Sequence, residues 1–177
     1  KPQVPIASLS LISLMTSAAI FNVISKYVDN VKIKWPNDIL IGKKKVCGIL
    51  LESIISNKVE ALIIGIGINV NGKNFSLEVS KKATSLVLEN KKSYDKMILI
   101  DEVIAMFADF YQAYLNNDHT YLDICRKYSS IIGRNVKIND EDVYVFDIAD
   151  NGNLKVRKFD GAIDEVAYGE VTLTNEY

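Results

Sequence analysis

Val31-Lys32-Ile33-Lys34-Trp35-Pro36-Asn37-Asp38-Ile39-Leu40-Ile41, followed by Val46 to Ile55 and Val59 to Asn71, decides the fold. From Val31 to Trp35 apolar and polar residues alternate, the period of a half-buried strand. Pro36 has no amide hydrogen for a ladder and restrains Trp35. Pro36-Asn37-Asp38 therefore separates this strand from a short one, Ile39-Leu40-Ile41. Gly42-Lys43-Lys44 turns the chain into a long strand, Val46 to Ile55, rich in apolar and branched residues. Ser56-Asn57-Lys58 turns it again into Val59 to Asn71. Strands joined by short turns give an antiparallel meander, which needs a cover for one face. An α+β fold is expected.

The cover lies upstream. Leu9, Ile12, Met15, Ala19 and Val23 recur at helical spacing, with Ile20, Ile24 and Tyr27 widening the stripe. Val4 to Ile24 is apolar enough to imitate a signal peptide behind Lys1. Ser8, Ser10, Ser13, Thr16, Ser17 and Asn22 interrupt it too often for a membrane span, so a buried helix is expected. The chain opens at Lys1 rather than Met, as expected of a processed protein or one that starts inside a longer one. Asp29-Asn30 reads as the turn into the first strand.

Downstream, Asn71-Gly72-Lys73-Asn74 closes the meander, and Ser76 to Asn90 is mixed and polar. Ile98, Ile100, Val103, Ile104, Phe107, Ala108, Tyr111 and Tyr114 predict a helix within Tyr94 to Leu115, and Thr120 to Lys127 adds another helical piece. Past Gly133 short strands are expected at Asn135 to Ile138, Val143 to Ile148, Leu154 to Lys158 and Glu170 to Thr174. Asn151-Gly152 supplies a hairpin signal. The change of texture places a boundary near residue 130, dividing an α+β body (1–130) from a small all-β module (131–177).

Among 177 residues, 21 Lys and Arg nearly balance 22 Asp and Glu, so a generally basic nucleic-acid binder is excluded. Two cysteines supply no disulfide framework and no zinc cluster, which agrees with a cytoplasmic setting. One histidine leaves no histidine-rich metal site and makes a Ser-His-Asp triad improbable. Any chemistry rests on Lys, Arg, Asp, Glu, Asn or backbone groups.

Three elements could carry it. Lys34-Trp35-Pro36-Asn37-Asp38 sets an amide and a carboxylate on a rigid bend at a strand end, although Pro-Asn-Asp is also ordinary turn chemistry. Lys45 enters an apolar strand, where it meets an anion or snorkels to solvent beside Lys43 and Lys44. Gly48, inside that strand, marks either close approach of a ligand or a bulge. Gly65-Ile66-Gly67-Ile68-Asn69-Val70-Asn71 alternates two bare backbone positions on one strand face, where a flat ring or a phosphate could lie. It is no dinucleotide fingerprint, because no third glycine opens a helix.

In this order, with Lys45-Val46-Cys47-Gly48-Ile49-Leu50-Leu51-Glu52, Ala83-Thr84-Ser85-Leu86 and a terminal β module, the set closely resembles the biotin protein ligase family. The resemblance implies a mixed sheet with helices similar to class II aminoacyl-tRNA synthetases, followed by an SH3-like barrel. It implies formation of biotinyl-adenylate from biotin and ATP, then transfer to a lysine of a biotin carboxyl carrier protein. Mg²⁺ is the metal expected with ATP. By the same resemblance Lys45 contacts biotin and the reacting phosphate and is the catalytic residue. Gly48 and Trp35 are placed at biotin, and Asn37, Asp38, Gly65, Gly67, Asn69 and Glu170 on the ATP side. Asp38 is the candidate metal contact.

Two departures accompany the match. The family's Gly-Arg-Gly-Arg loop is missing and is expected upstream of Pro5, and Thr174 stands where an arginine is common. A lipoate-type ligase of the same fold and a non-catalytic biotin-sensing repressor are the competing functions. A homodimer is suggested through exposed sheet edges. DNA binding is expected only with a further N-terminal domain, and no membrane association is expected.

Overall fold

The computed structural model describes residues 8–57 and 59–173. The chain opens on helix α1 (Leu9–Ile24) and continues into strands β1 (Val31–Lys34), β2 (Asp38–Ile41), β3 (Lys44–Ile55) and β4 (Val59–Ile68). These four strands form one sheet in sequence order, antiparallel throughout. The meander expected from the turn residues is present.

Helix α1 is buried continuously from Leu11 to Phe21. A helix that is apolar nearly all round belongs between layers rather than on a surface. It packs on the sheet from one side and meets α4 (Lys96–Leu115) and α5 (Thr120–Lys127) on the other. Its buried hydroxyls are satisfied: Thr16 donates to the Ile12 carbonyl, and Ser13 and Ser17 to that of Pro36.

Beyond the meander, two short helices occupy the stretch read only as mixed and polar: α2 (Leu77–Lys82) and α3 (Leu86–Asn90). The Ser76 hydroxyl caps α2 by accepting from the Val79 amide, and Asp95 caps α4 by accepting from that of Met97. From α5 the chain runs beside β1. The Ile33 amide donates to Tyr128, and the Ser130 amide donates back to Ile33.

A second antiparallel sheet follows, with β5 (Arg134–Ile138), β6 (Glu141–Ile148), β7 (Leu154–Lys158), β8 (Ile163–Val166) and β9 (Val171–Leu173) in the order β8-β7-β6-β5-β9. Among the described residues no pairing joins β8 to β9. The tight two-residue turn is at Asn139-Asp140, both in the left-handed region. Asn151-Gly152 belongs instead to a wider turn between β6 and β7. Strand β8 has no counterpart among the strands expected from the sequence: Asp164 and Glu165 occupy its middle, suiting an exposed edge and masking the strand pattern.

Candidate active site

The Trp35–Asp38 bend is fixed from both sides. Its Trp35-Pro36 peptide is cis. The Pro36 carbonyl accepts from Ser13 Oγ at 3.1 Å and Ser17 Oγ at 3.5 Å. Asn37 clamps β3 twice: its Nδ2 donates to the Ile49 carbonyl at 2.7 Å, and its carbonyl accepts from the Ile49 amide at 2.9 Å. Asn37 is therefore a brace of the bend, and Asp38 leaves it as the first residue of β2. Trp35 is only 2% exposed, and its indole N–H donates to the Gly152 carbonyl at 2.9 Å. The structure thus places Trp35 between the bend and the second sheet.

The register between β2 and β3 shifts after Ile39, where Ile39 faces Cys47 but Leu40 faces Lys45. A bulge inserts an extra residue and offsets the alternation. Val46 and Cys47, adjacent in sequence, are both buried, while Lys45, Gly48 and Leu50 come out on the opposite face. Lys45 Nζ sits 2.5 Å from Asp38 Oδ1. Its stem crosses Gly48 so closely that a β-carbon there would stand 2.8 Å from both Cε and Nζ. Lys45 thus meets an anion, one supplied by the neighbouring strand.

Asp38, Gly48 and Gly67 face one another across β2, β3 and β4, and Gly65 faces Leu50 one step along. At Gly65 and Gly67 an added β-carbon would find nothing nearer than 3.7 Å. Neither position needs glycine for packing. They floor an open strip of sheet, and at its end the Lys45 stem and the Asp38 carboxylate lie over Gly48.

Asn69 and the Ala83–Leu86 segment close on Lys45 from behind. The Thr84 amide donates to the Lys45 carbonyl at 2.9 Å. The Thr84 carbonyl accepts from Asn69 Nδ2 at 3.0 Å, and the Asn69 amide donates to the Val46 carbonyl at 2.8 Å. This ring of bonds ties the start of β3 to the end of β4, so β4 stops at Ile68 rather than at Asn71. One side-chain N–H of Asn69 is engaged there; an adenine edge needs the other N–H and the carbonyl oxygen. Thr84 and Ser85 are buried polar residues of this frame, for which the sequence offered only their place in a motif.

Glu170 is exposed and precedes β9; among the described residues no hydrogen bond or ion pair joins it to the Lys45 group. Thr174 lies outside the described residues. Burial pushes the Cys47 and Cys125 thiols up to about 12, so neither is a nucleophile at neutral pH. Among the described residues no three His, Cys, Asp or Glu side chains gather into a metal site. No helix among them is long and apolar enough to cross a membrane.

An antiparallel sheet backed by a buried helix carries this lysine and carboxylate, and the chain is similar in sequence and fold to known proteins. Residues 1–69 match the model of the Biotin/lipoate A/B protein ligase family. The bifunctional ligase/repressor BirA of Bacillus spizizenii is 32% identical over 142 residues, covering 77% of this chain and 44% of that protein. The biotin--[acetyl-CoA-carboxylase] ligase of Paracoccus denitrificans is 40% identical over 80 residues, covering 43% of this chain and 33% of that protein. The Aquifex aeolicus biotin protein ligase in complex with biotin and ATP superposes with a TM-score of 0.82 at 24% identity, covering 95% of this chain and 72% of that one. The chain is thus similar to the Biotin/lipoate A/B protein ligase family over residues 1–69 and to biotin protein ligases over most of its length. It spans less than half the length of the two curated relatives just described.

Proposed function

We propose that this chain forms part of an ATP-dependent biotin protein ligase. A biotin carboxylate oxygen attacks the α-phosphorus of ATP, and the bond from that phosphorus to pyrophosphate breaks. A carrier lysine then attacks the acyl carbon of biotinyl-5'-AMP, forming the amide and releasing AMP. The observation that carries this reading is the Lys45–Asp38 pair above Gly48, at the end of the open strip over Gly65 and Gly67. An arriving anion draws the ammonium from Asp38 towards charge that builds between carboxylate and phosphate, where a preorganised cation acts most strongly. Biotin lies along Gly48, with the nucleotide over Gly65 and Gly67 and its adenine edge at Asn69. The names of the Paracoccus and Aquifex relatives favour biotin over a lipoate-type acid.

Mg²⁺ commonly keeps its waters and binds through one or two carboxylates together with substrate phosphates. Asp38 fits such a shared role, and no protein-only cage is required of it. Asn37 serves the site through Ile49, and Trp35 through the second sheet. Glu170, just before β9, is the remaining proposed nucleotide contact. We further read residues 1–130 as the catalytic unit of a class II synthetase-like fold and 131–177 as an SH3-like module. Acetyl-CoA carboxylase's biotin carboxyl carrier protein is the proposed acceptor, and the cytoplasm the proposed setting. A homodimer through a sheet edge belongs to the same reading. Biotin-dependent pyrophosphate release from ATP by the longest natural form of the protein tests it. Release driven by lipoate but not by biotin would overturn it.

A further inference from the structure

The second sheet reaches Trp35 and α1 through the turn between β6 and β7. Residues 149–153, between β6 and β7, press onto the N-terminal half of α1 and onto Trp35. Ser10 Oγ donates to the Asn151 carbonyl at 3.0 Å, and the Trp35 indole donates to the Gly152 carbonyl. Gly152 has φ +87°, and a β-carbon there would stand 3.2–3.3 Å from Leu14, Leu11 and Ser10. A side chain here would strain the backbone and need Leu11, Leu14 and Ser10 to give way by a few tenths of an ångström. Arg126 of α5 holds the approach to the turn, its Nε donating to the Ile148 carbonyl at 2.9 Å.

Between Trp35 and Asp38 the backbone has little slack. The Pro36 carbonyl is held by two α1 serines and Asn37 by two bonds to Ile49. A change in how the turn seats therefore reaches Asp38 through a short, braced segment. We propose that Trp35 is a positioning residue: through its bond to Gly152, the β6–β7 turn sets the Asp38–Lys45 pair. The proposal rests on reading that pair as the site of biotin activation. It also gives the second sheet a say in the chemistry without any of its side chains touching substrate.

The test uses the longest natural form of the protein, free of ligand, with ¹³C,¹⁵N-labelled lysine. The Lys45 side-chain resonance is assigned by its loss in Lys45→Met, and Asp38→Asn marks its position when the pair is broken. Trp35→Phe keeps most of the ring and removes the donor, while Gly152→Ala wedges the turn off α1. Both should move the Lys45 resonance towards its Asp38→Asn position. Val136→Ala, in the buried core of β5, lowers stability elsewhere and should leave it in place. Unfolding constants for Trp35→Phe, Asp38→Asn and the double variant should miss additivity by about threefold or more, as coupled residues do. Should Gly152→Ala not fold, Trp35→Phe carries the comparison. A Lys45 resonance unmoved by Trp35→Phe, or moved equally by Val136→Ala, overturns the proposal. Failure of the ligase reading would show separately, as absent biotin-dependent pyrophosphate release with these spectra unchanged.

Discussion

Lys45 is held by Asp38 from the neighbouring strand, Nζ to Oδ1 at 2.5 Å, and the stem between them lies where a side chain on Gly48 would have to be. The pair is partly open to water, with Lys45 46% and Asp38 20% exposed. Ion pairs of that kind contribute about 0–1 kcal/mol to stability. So small a structural contribution, in a spot kept clear by a glycine, makes better sense as a poised charge than as a fastening.

Removing that charge should therefore separate chemistry from folding. Lys45→Ala is expected to lower biotin-dependent pyrophosphate release by roughly 10²–10³, the usual loss for one well-placed electrostatic stabiliser. Its melting temperature should stay near that of the parent. Lys44→Ala, one residue away and exposed, is the control. Equal release rates for the two variants would reduce Lys45 to a surface lysine.

The glycine floor makes a prediction of opposite sign for stability. At Gly67 an added β-carbon meets only the Gly48 carbonyl, at 3.8 Å. Gly67→Ala should leave the fold unchanged or raise stability by up to about 1 kcal/mol, because a glycine in a strand carries an entropic cost. It should weaken nucleotide binding, since the methyl stands where the ligand would lie. Calorimetric titration with a non-hydrolysable ATP analogue, beside thermal melting, measures both. Unaltered affinity would remove Gly67 from the site.

Much of this was legible in the sequence, and the omissions have physical causes. Pro36, Gly42 and Ser56-Asn57 punctuate the meander, and their backbone restrictions are local. Which way Lys45 faces is not local. Simple alternation would pair it with buried Cys47, and the register shift after Ile39 is what turns it out beside Gly48. Trp35 reads as a core aromatic or a ligand contact, because its acceptor lies 117 residues further along. Asp164 and Glu165 hide β8, whose edge position tolerates charge. Helices α2 and α3 are too short for periodicity to register.

Asn69 should matter to the fold in a way that Lys45 does not. Asn69→Ala leaves the Thr84 carbonyl without its side-chain donor and loosens the ring that anchors the start of β3. Leaving such a group unpaired costs about 1–3 kcal/mol where water cannot replace the donor. Urea denaturation of Asn69→Ala against Lys45→Ala provides the comparison. Two variants of equal stability would mean that solvent substitutes freely at Thr84 and that the ring is not a structural frame.

The β6–β7 turn should give the protein an acid-sensitive seat. Hydrogen bonding to the Arg126 guanidinium, Nη2 to Oδ1 at 2.7 Å, holds the Asp150 carboxyl below its usual 3.8. The side-chain amides of Asn151 and Asn153 hold Glu165 below its usual 4.5. A depressed folded pKa contributes stability that is fully present above the unfolded value and is lost as pH falls through the folded one. From these two carboxylates the melting temperature should be level between pH 7 and about 5 and should fall below about 4. Both groups lie at the surface, so the effect is modest and added salt should shrink it. Asp150→Asn and Glu165→Gln should each start slightly lower at pH 7 and lose less on acidification. Melting curves for parent and variants across that range decide the matter, and parallel acid profiles would show that these carboxylates do not hold the turn.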